Sequence, residues 1–493
     1  MLNLKVFPMI REVLTLFRKL PVMVVCLSTL LITGCSDGSE TIVFENVSVI
    51  DAVDGYRSGQ IVVVRENMIV EAGPAGRVRV PSGSTVIDGS GKYLIPGLWD
   101  AHVHVTNTRA MRNSMFPLFI VNGITYVRDT AATLESILSM RQDAEEASEA
   151  SGMAPKVYMI GPHMDGPKLS WDSSVSAVTP VQARFIINCL INAGVDELKV
   201  YDLIPPAVAL EVFAAGRELG YRVSSHVPLG MDVIEASNAG LSSMEHMYNL
   251  EMACSADWDS LLQARQRMIA EYTGESGNRL RQDIYRAQRL HAFRTQDEER
   301  RAEVLQTLAR NDTYQVPTLA IVAQEEHRIF ARDDYRDLFR YLPKTVRDDW
   351  EKSAERRSAQ QQSEESMAHA LWAYDMVPRI AEAGIRIMAG TDMPLAHLIP
   401  GFSLHEELEL LVKKGGLTPM QALEAATMRP AEYLGLEHQQ GQIGSGMLAD
   451  LVLLDANPLE DITNTRRINS VMRDGHLHTR EDLDRILSWL EEQ

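Results

Sequence analysis

Pro96-Gly-Leu-Trp-Asp-Ala-His-Val-His104 ends an apolar run on two histidines two residues apart. In a β-strand, residues i and i+2 project from the same face, so His102 and His104 can reach one metal ion from a rigid backbone. Alone, a His-x-His pair is weak evidence, because short histidine pairs arise by chance. It gains weight from further candidate ligands that follow, in order, at the ends of later strands.

Working outward, eight strand candidates alternate with helical segments: Leu98–Val105, Ile124–Asp129, Lys156–Gly161, Glu197–Tyr201, Arg222–Val227, Ser243–His246, Gln315–Ile321 and Ile385–Asp392. Helices such as Pro206–Leu219 and Val233–Ala239 separate them. This alternation predicts an α/β fold, a (β/α)8 TIM barrel, over residues 96–437. Short β runs with Asp/Gly/Pro turns precede it over 41–95 and return over 438–478, which predicts one β-sandwich built from both chain flanks. Pro419–Leu434 reads as one helix, and Arg480–Glu492 closes the chain as a C-terminal helix within 479–493. His246 to Asp392 is too long for two βα units. The excess, about 255–370, is charged and helical, and reads as an insertion after barrel strand six. It forms either a lid or dimer surface, or a peripheral decoration.

Metal ligands in such a barrel belong at the C-terminal strand ends. Lys199, His226, His246 and Asp392 occupy those ends, spaced by helix-plus-strand repeats. The lysine is the odd member. As an ammonium it repels cations, but an amine that captures carbon dioxide becomes a carbamate, an anionic ligand able to bridge two divalent ions. Its place between Leu198 and Val200 argues against a solvated surface lysine.

Pro96–His104, Glu197–Tyr201, Ser225-His226, Glu245-His246 and Gly390-Thr-Asp392 together resemble the amidohydrolase superfamily. So do Ala426–Ala431 and Gly446–Asp455. The resemblance points to the imidazolonepropionase-related branch that includes Xaa-Pro dipeptidase-like (prolidase-like) enzymes, and Lys199 to its binuclear type. It implies one metal on His102, His104, the Lys199 carbamate and Asp392, and a second on that carbamate, His226 and His246. Zinc is the default metal for imidazole and oxygen ligands. The implied chemistry is hydrolysis of an amide bond by a metal-bridging hydroxide, with Asp392 as general base and acid.

Weaker candidates are Tyr201, two residues from Lys199, and His163, just beyond strand three. Each is either a substrate contact or an ordinary rim residue. Arg128 and Asp129 read as a structural ion pair. His405 reads as packing, and His291, His327, His369, His438, His476 and His478 as surface residues.

The formal charge of −19 argues against a nucleic-acid partner, which needs a basic face. Lys5, Arg11, Arg18 and Lys19 precede an apolar run ending at Leu31-Ile-Thr-Gly-Cys35, which resembles a bacterial lipobox. Residues 1–34 therefore read as a lipoprotein signal peptide, Cys35 as the lipidated residue and 35–40 as a tether. Ser36 after the cysteine points to an outer-membrane lipoprotein, facing the periplasm or the cell surface. Cys189 and Cys254 read as unpaired thiols. The leading expectation is a membrane-anchored hydrolase of dipeptides or N-acyl amino acids, with homo-oligomers allowed. A cyclic amide or lactone hydrolase, or a heterocycle deaminase, is the second reading, and a non-catalytic scaffold the third.

Overall fold

The computed structural model describes residues 41–106 and 109–493. The signal peptide, Cys35 and the tether lie outside the described residues. Among the described residues, no helix is long and apolar enough to cross a membrane.

The strand carrying the histidine pair, β6 (Leu98–Val103), is buried at every position. A strand covered on both faces reads as a near-continuous apolar run. β6 pairs in parallel with β7 (Ile124–Asp129), and β7 with β8 (Lys156–Met159). A second parallel sheet holds β9 (Met164–Asp165), β10 (Val175–Ser176), β11 (Leu198–Val200), β12 (Val223–Ser225), β13 (Ser243–Glu245) and β14 (Tyr314–Val316). Backbone hydrogen bonds join the sheets. Asp196 N donates to Met159 O at 2.8 Å, linking β8 to the start of β11. Residues 385–393 form isolated bridges rather than a strand, Ile387 with Gln315 and Met393 with Val103, so they lie between β14 and β6. The approach is close: a Cβ on Gly390 would sit 2.7 Å from the Cβ of His102.

β14 ends at Val316 rather than continuing to Ile321, because Pro317 has no N–H for a ladder and Thr318 turns into the left-handed region at φ 48°. The run then becomes the helix Leu319–Val322. This divides the insertion differently from expectation. Helices Trp258–Glu271, Gly277–Arg294 and Glu298–Arg310 follow β13, but those from Leu319 to Glu382 follow β14. Two loops are enlarged, not one. The long helix over Pro419–Leu434 is likewise two, Pro419–Ala425 and Met428–Leu434. The carbonyls of Ala425 and Ala426, which a continuous helix would use, accept instead from Ala389 N and Trp99 N.

The flanks form one hydrogen-bonded sheet rather than two facing sheets. Its order is β17 (His476–His478), β16 (Ile468–Arg473), β15 (Leu451–Leu454), β5 (Tyr93–Pro96), β1 (Thr41–Asp51), β2 (Gly55–Arg65) and β3 (Met68–Pro74), with β4 (Thr85–Asp88) also on β1. Irregularities in β1 between Phe44 and Val49 let it pair with β4 along one stretch and β5 along the next. Ile42, Phe44, Val62, Val64, Leu451 and Leu453 share one core. Trp99, Tyr126 and Tyr158 stack beneath the strands, with ring centroids 4.7 and 5.0 Å apart, and the Tyr126 hydroxyl donates to Asp450 beside β15. The sheet therefore braces the end of β6 and β7 away from the histidines. Cys189 is exposed and Cys254 buried, both unpaired.

Candidate metal centre

The predicted ligands lie in or just beyond short buried strands and bridges. His102 is in β6 and His104 follows it, Lys199 is the middle of β11, His226 follows β12, His246 follows β13 and Asp392 follows residues 385–391. All are buried. Several leave their strands through left-handed backbone: φ is 59° at Val227, 61° at His246 and 66° at Asp392. Such conformations cost on the order of 1–3 kcal/mol each and persist only when the surroundings hold them. Here they are held. Asn249 Nδ2 donates to the carbonyls of His226 (3.2 Å) and Val227 (2.7 Å), and the buried Arg265 donates to Asn249 Oδ1 at 2.8 Å. Arg265 belongs to Trp258–Glu271, so the insertion braces the backbone at His226.

The side chains converge. Asp392 Oδ1 lies 3.0 Å from His104 Nε2 and 3.5 Å from His102 Nε2. Ligand atoms of His102, His104 and Asp392 all lie within 4.8 Å of one another. The His246 ring centroid is 4.4 Å from that of His102 and 4.8 Å from that of His226. His104, Lys199, His226, His246 and Asp392 line one cavity of about 530 Å³.

The donor set fits divalent metal. His102 Nε2, Lys199 Nζ, His226 Nδ1 and Asp392 Oδ1 are buried without a hydrogen-bond partner. Meanwhile the outer nitrogens are held: His102 Nδ1 lies 2.5 Å from Glu245 Oε2, and His246 Nδ1 lies 2.7 Å from Thr318 Oγ1. Such outer partners fix ring orientation and raise ligand basicity. Burial, reinforced by Lys199, holds His102 and His226 well below the usual imidazole pKa. Burial and the His102 ring do the same for His246. These are neutral imidazoles, the form that binds metal. Burial also pulls the Lys199 ammonium down to about 8. At Asp392, burial favours the neutral acid, but His246, His104 and Lys199 outweigh it and hold the carboxyl below the usual range. Glu245→Gln replaces the anion behind His102 with a neutral amide. Metal affinity is expected to fall about 10- to 100-fold, read by competition with a chromogenic chelator; unchanged affinity would show that Glu245 does not orient the ligand.

Residues 373–477 match the amidohydrolase family model. Among curated relatives, the ochratoxinase of Aspergillus niger is 39% identical over 82 residues, 16% of each chain. The imidazolonepropionase of Thermoplasma acidophilum is 35% identical over 92 residues, 18% of this chain and 22% of the relative. The matched segments thus span under a quarter of those relatives. A solved Xaa-Pro dipeptidase with methionine bound in its active site shares the fold, with TM-score 0.62 and 19% identity over 89% of this chain and all of the other.

Tyr201 and His163 both line the cavity, with rings 4.2 Å apart, and the Tyr201 hydroxyl accepts from Trp171 Nε1 at 2.7 Å. Arg128 does not pair with Asp129. Adjacent strand residues point to opposite faces, so Arg128 reaches away to Glu197 (2.8 Å) and Glu245 (2.9 Å), while Asp129 accepts from Ala131 N. His405 is packing, fixed between Thr465 and the Asn122 carbonyl. His369 is not a surface residue: its ring stacks on Phe293 and faces Tyr248 inside the insertion. His478 is also buried, because β17 folds back onto β16.

Sequence reasoning missed Glu245 as a ligand partner, although its place beside His246 was a signal. It also missed Asp100, whose carboxylate accepts from Thr391 Oγ1 at 2.7 Å and Thr391 N at 3.0 Å, fixing the Asp392 turn against β6. Thr318, Tyr248 and Arg281 had no local motif to reveal them.

Proposed function

We propose that this chain is a metal-dependent hydrolase of amide bonds in small substrates, dipeptides or N-acyl amino acids foremost, built on a (β/α)8 barrel. The observation that carries the reading is the convergence of buried His102, His104, Lys199, His226, His246 and Asp392, five of which line one cavity while His102 lies behind it against Asp392. His102, His104 and Asp392 would hold one divalent cation, with zinc the default, and His226 and His246 a second, Lys199 joining them as a carbamate. Bound there, such a pair supplies Lewis acidity toward a carbonyl and an activated water.

The protein's own residues then have distinct tasks. Asp392 is held ionised, with Oδ1 beside His104 and His102, so it accepts a proton from the attacking water and returns it to the leaving nitrogen. The Tyr201 phenol keeps its proton, because burial raises it well above the usual value. It is placed to donate toward the carbonyl oxygen from beside His226. Trp171 and Tyr248 line the mouth. The likeness to an imidazolonepropionase and a Xaa-Pro dipeptidase supports an amide or cyclic amide substrate, and Lys199 favours the binuclear hydrolase over a deaminase.

The test is a panel of dipeptides and N-acetyl amino acids offered to the full-length protein with and without prior chelation. Hydrolysis is expected in the untreated protein, abolished by chelation and restored by zinc. Activity indifferent to chelation would overturn the reading. We further propose, from the lipobox alone, that Cys35 anchors the chain to the outer membrane.

A further inference from the structure

The cavity is chemically uneven. The loops after β9 and β11 and the insertion supply Trp171, Tyr201 and Arg281. The loops after β7, β14 and residues 385–393 supply Ala131, Ile321 and Leu395, none of them charged. Leu395 is 41% exposed, an apolar surface open to a ligand.

Arg281 is the one guanidinium among the described lining residues. It sits on Gly277–Arg294, a helix with no place in a minimal barrel. Its donors are under-used. Nη1 is 3.5 Å from Asp202 Oδ2 and Nη2 is 3.3 Å from Asn278 Oδ1, both at the outer limit of a hydrogen bond, and Nε is buried with no partner. A guanidinium carries five donors in a fixed fork that matches a carboxylate. The fork is held in place, 5.9 Å from the Trp171 ring centroid and 5.8 Å from that of Tyr285. Asp202 is the near anion; Asp172 lies at the exposed rim.

We propose that Arg281 binds the free carboxylate on the amine side of the substrate, so that the insertion restricts the enzyme to amides whose leaving group is an amino acid. The acyl side then lies along Ala131, Ile321 and Leu395. This rests on the hydrolase reading above, and deepens it by assigning specificity to a residue outside the metal group.

The test compares N-acetyl-L-phenylalanine with its carboxamide, by acetate release, in the full-length zinc-loaded protein. A parallel calorimetric arm compares L-phenylalanine with L-phenylalaninamide and needs no turnover. In the wild type, kcat/KM is expected to favour the carboxylate by about 10- to 100-fold, the range of a charge-assisted hydrogen bond. In Arg281→Gln that ratio should fall to about one, mainly through KM, with Arg281→Lys in between. Because the ratio is internal to each variant, partial misfolding does not mimic it. A wild type that cuts neither compound, but binds the carboxylate product more tightly in an Arg281-dependent way, supports the anchor while sinking the hydrolase. Equal treatment of the two compounds by wild type, or a ratio that survives Arg281→Gln, overturns the anchor and leaves the hydrolase standing.

Discussion

Asp392→Asn is expected to lower kcat by about 10²- to 10⁴-fold, the usual contribution of a positioned acid–base group, while most of the bound metal remains. The side chain keeps its shape, and Asp392 is one donor among several around the centre: His102 and His104 lie 3.5 and 3.0 Å from Oδ1. The backbone turn should survive too, since Asp100 holds it through Thr391 and the His102 carbonyl accepts from Asp392 N at 2.7 Å. What an amide cannot do is take a proton and return it. The loss should therefore appear in kcat, with metal content read by mass spectrometry in the same sample. A variant with near-wild-type turnover would remove Asp392 from the proton-transfer role. One that loses turnover and metal together would reduce it to a ligand.

The second large effect concerns stability. Arg128 is buried beneath the centre, where it bridges Glu197 and Glu245 and donates to the Ala101 carbonyl at 2.8 Å. Glu197 also accepts from the Tyr433 hydroxyl at 2.7 Å, tying in the helix Met428–Leu434. Arg128→Leu leaves two carboxylates without their cation in a low-dielectric interior. Removing one partner of a buried pair costs roughly 3–5 kcal/mol, whereas an exposed pair is worth under about 1 kcal/mol. Equilibrium urea unfolding should show a loss of the larger size. Arg128→Lys should recover little, because an ammonium cannot span both carboxylates with a planar fork. A loss below about 1 kcal/mol would mean that the network is dispensable. The same substitution reaches the metal group, since Glu245 would no longer be held ionised behind His102.

The convergence of these side chains was legible because alternating strands and helices impose a rhythm. A ligand must sit at a strand end, and strand ends recur once per βα unit, so Lys199, His226 and His246 could be found by spacing. The partners of those ligands have no rhythm. Glu245 reaches His102 from another sheet, Thr318 reaches His246 from a loop that a proline creates, and Asn249 reaches backward to the His226 and Val227 carbonyls. Each is a long-range contact between polar residues common in any loop. The insertion was visible as excess length, but its division by β14 was not. Three strand residues, Tyr314–Val316, ending at Pro317 carry too little pattern to stand out between helices. The Arg128–Asp129 pairing failed for a simpler reason: sequence neighbours in a strand face apart.

The central claim is a two-cation centre that depends on Lys199. Its most direct measurement is the metal content of the full-length protein, purified in the presence of zinc and bicarbonate, beside Lys199→Ala. Two equivalents of divalent metal per wild-type chain are predicted, with loss of at least one in the variant; a wild type without tightly bound metal, or one whose content is unaltered by Lys199→Ala, would contradict the claim.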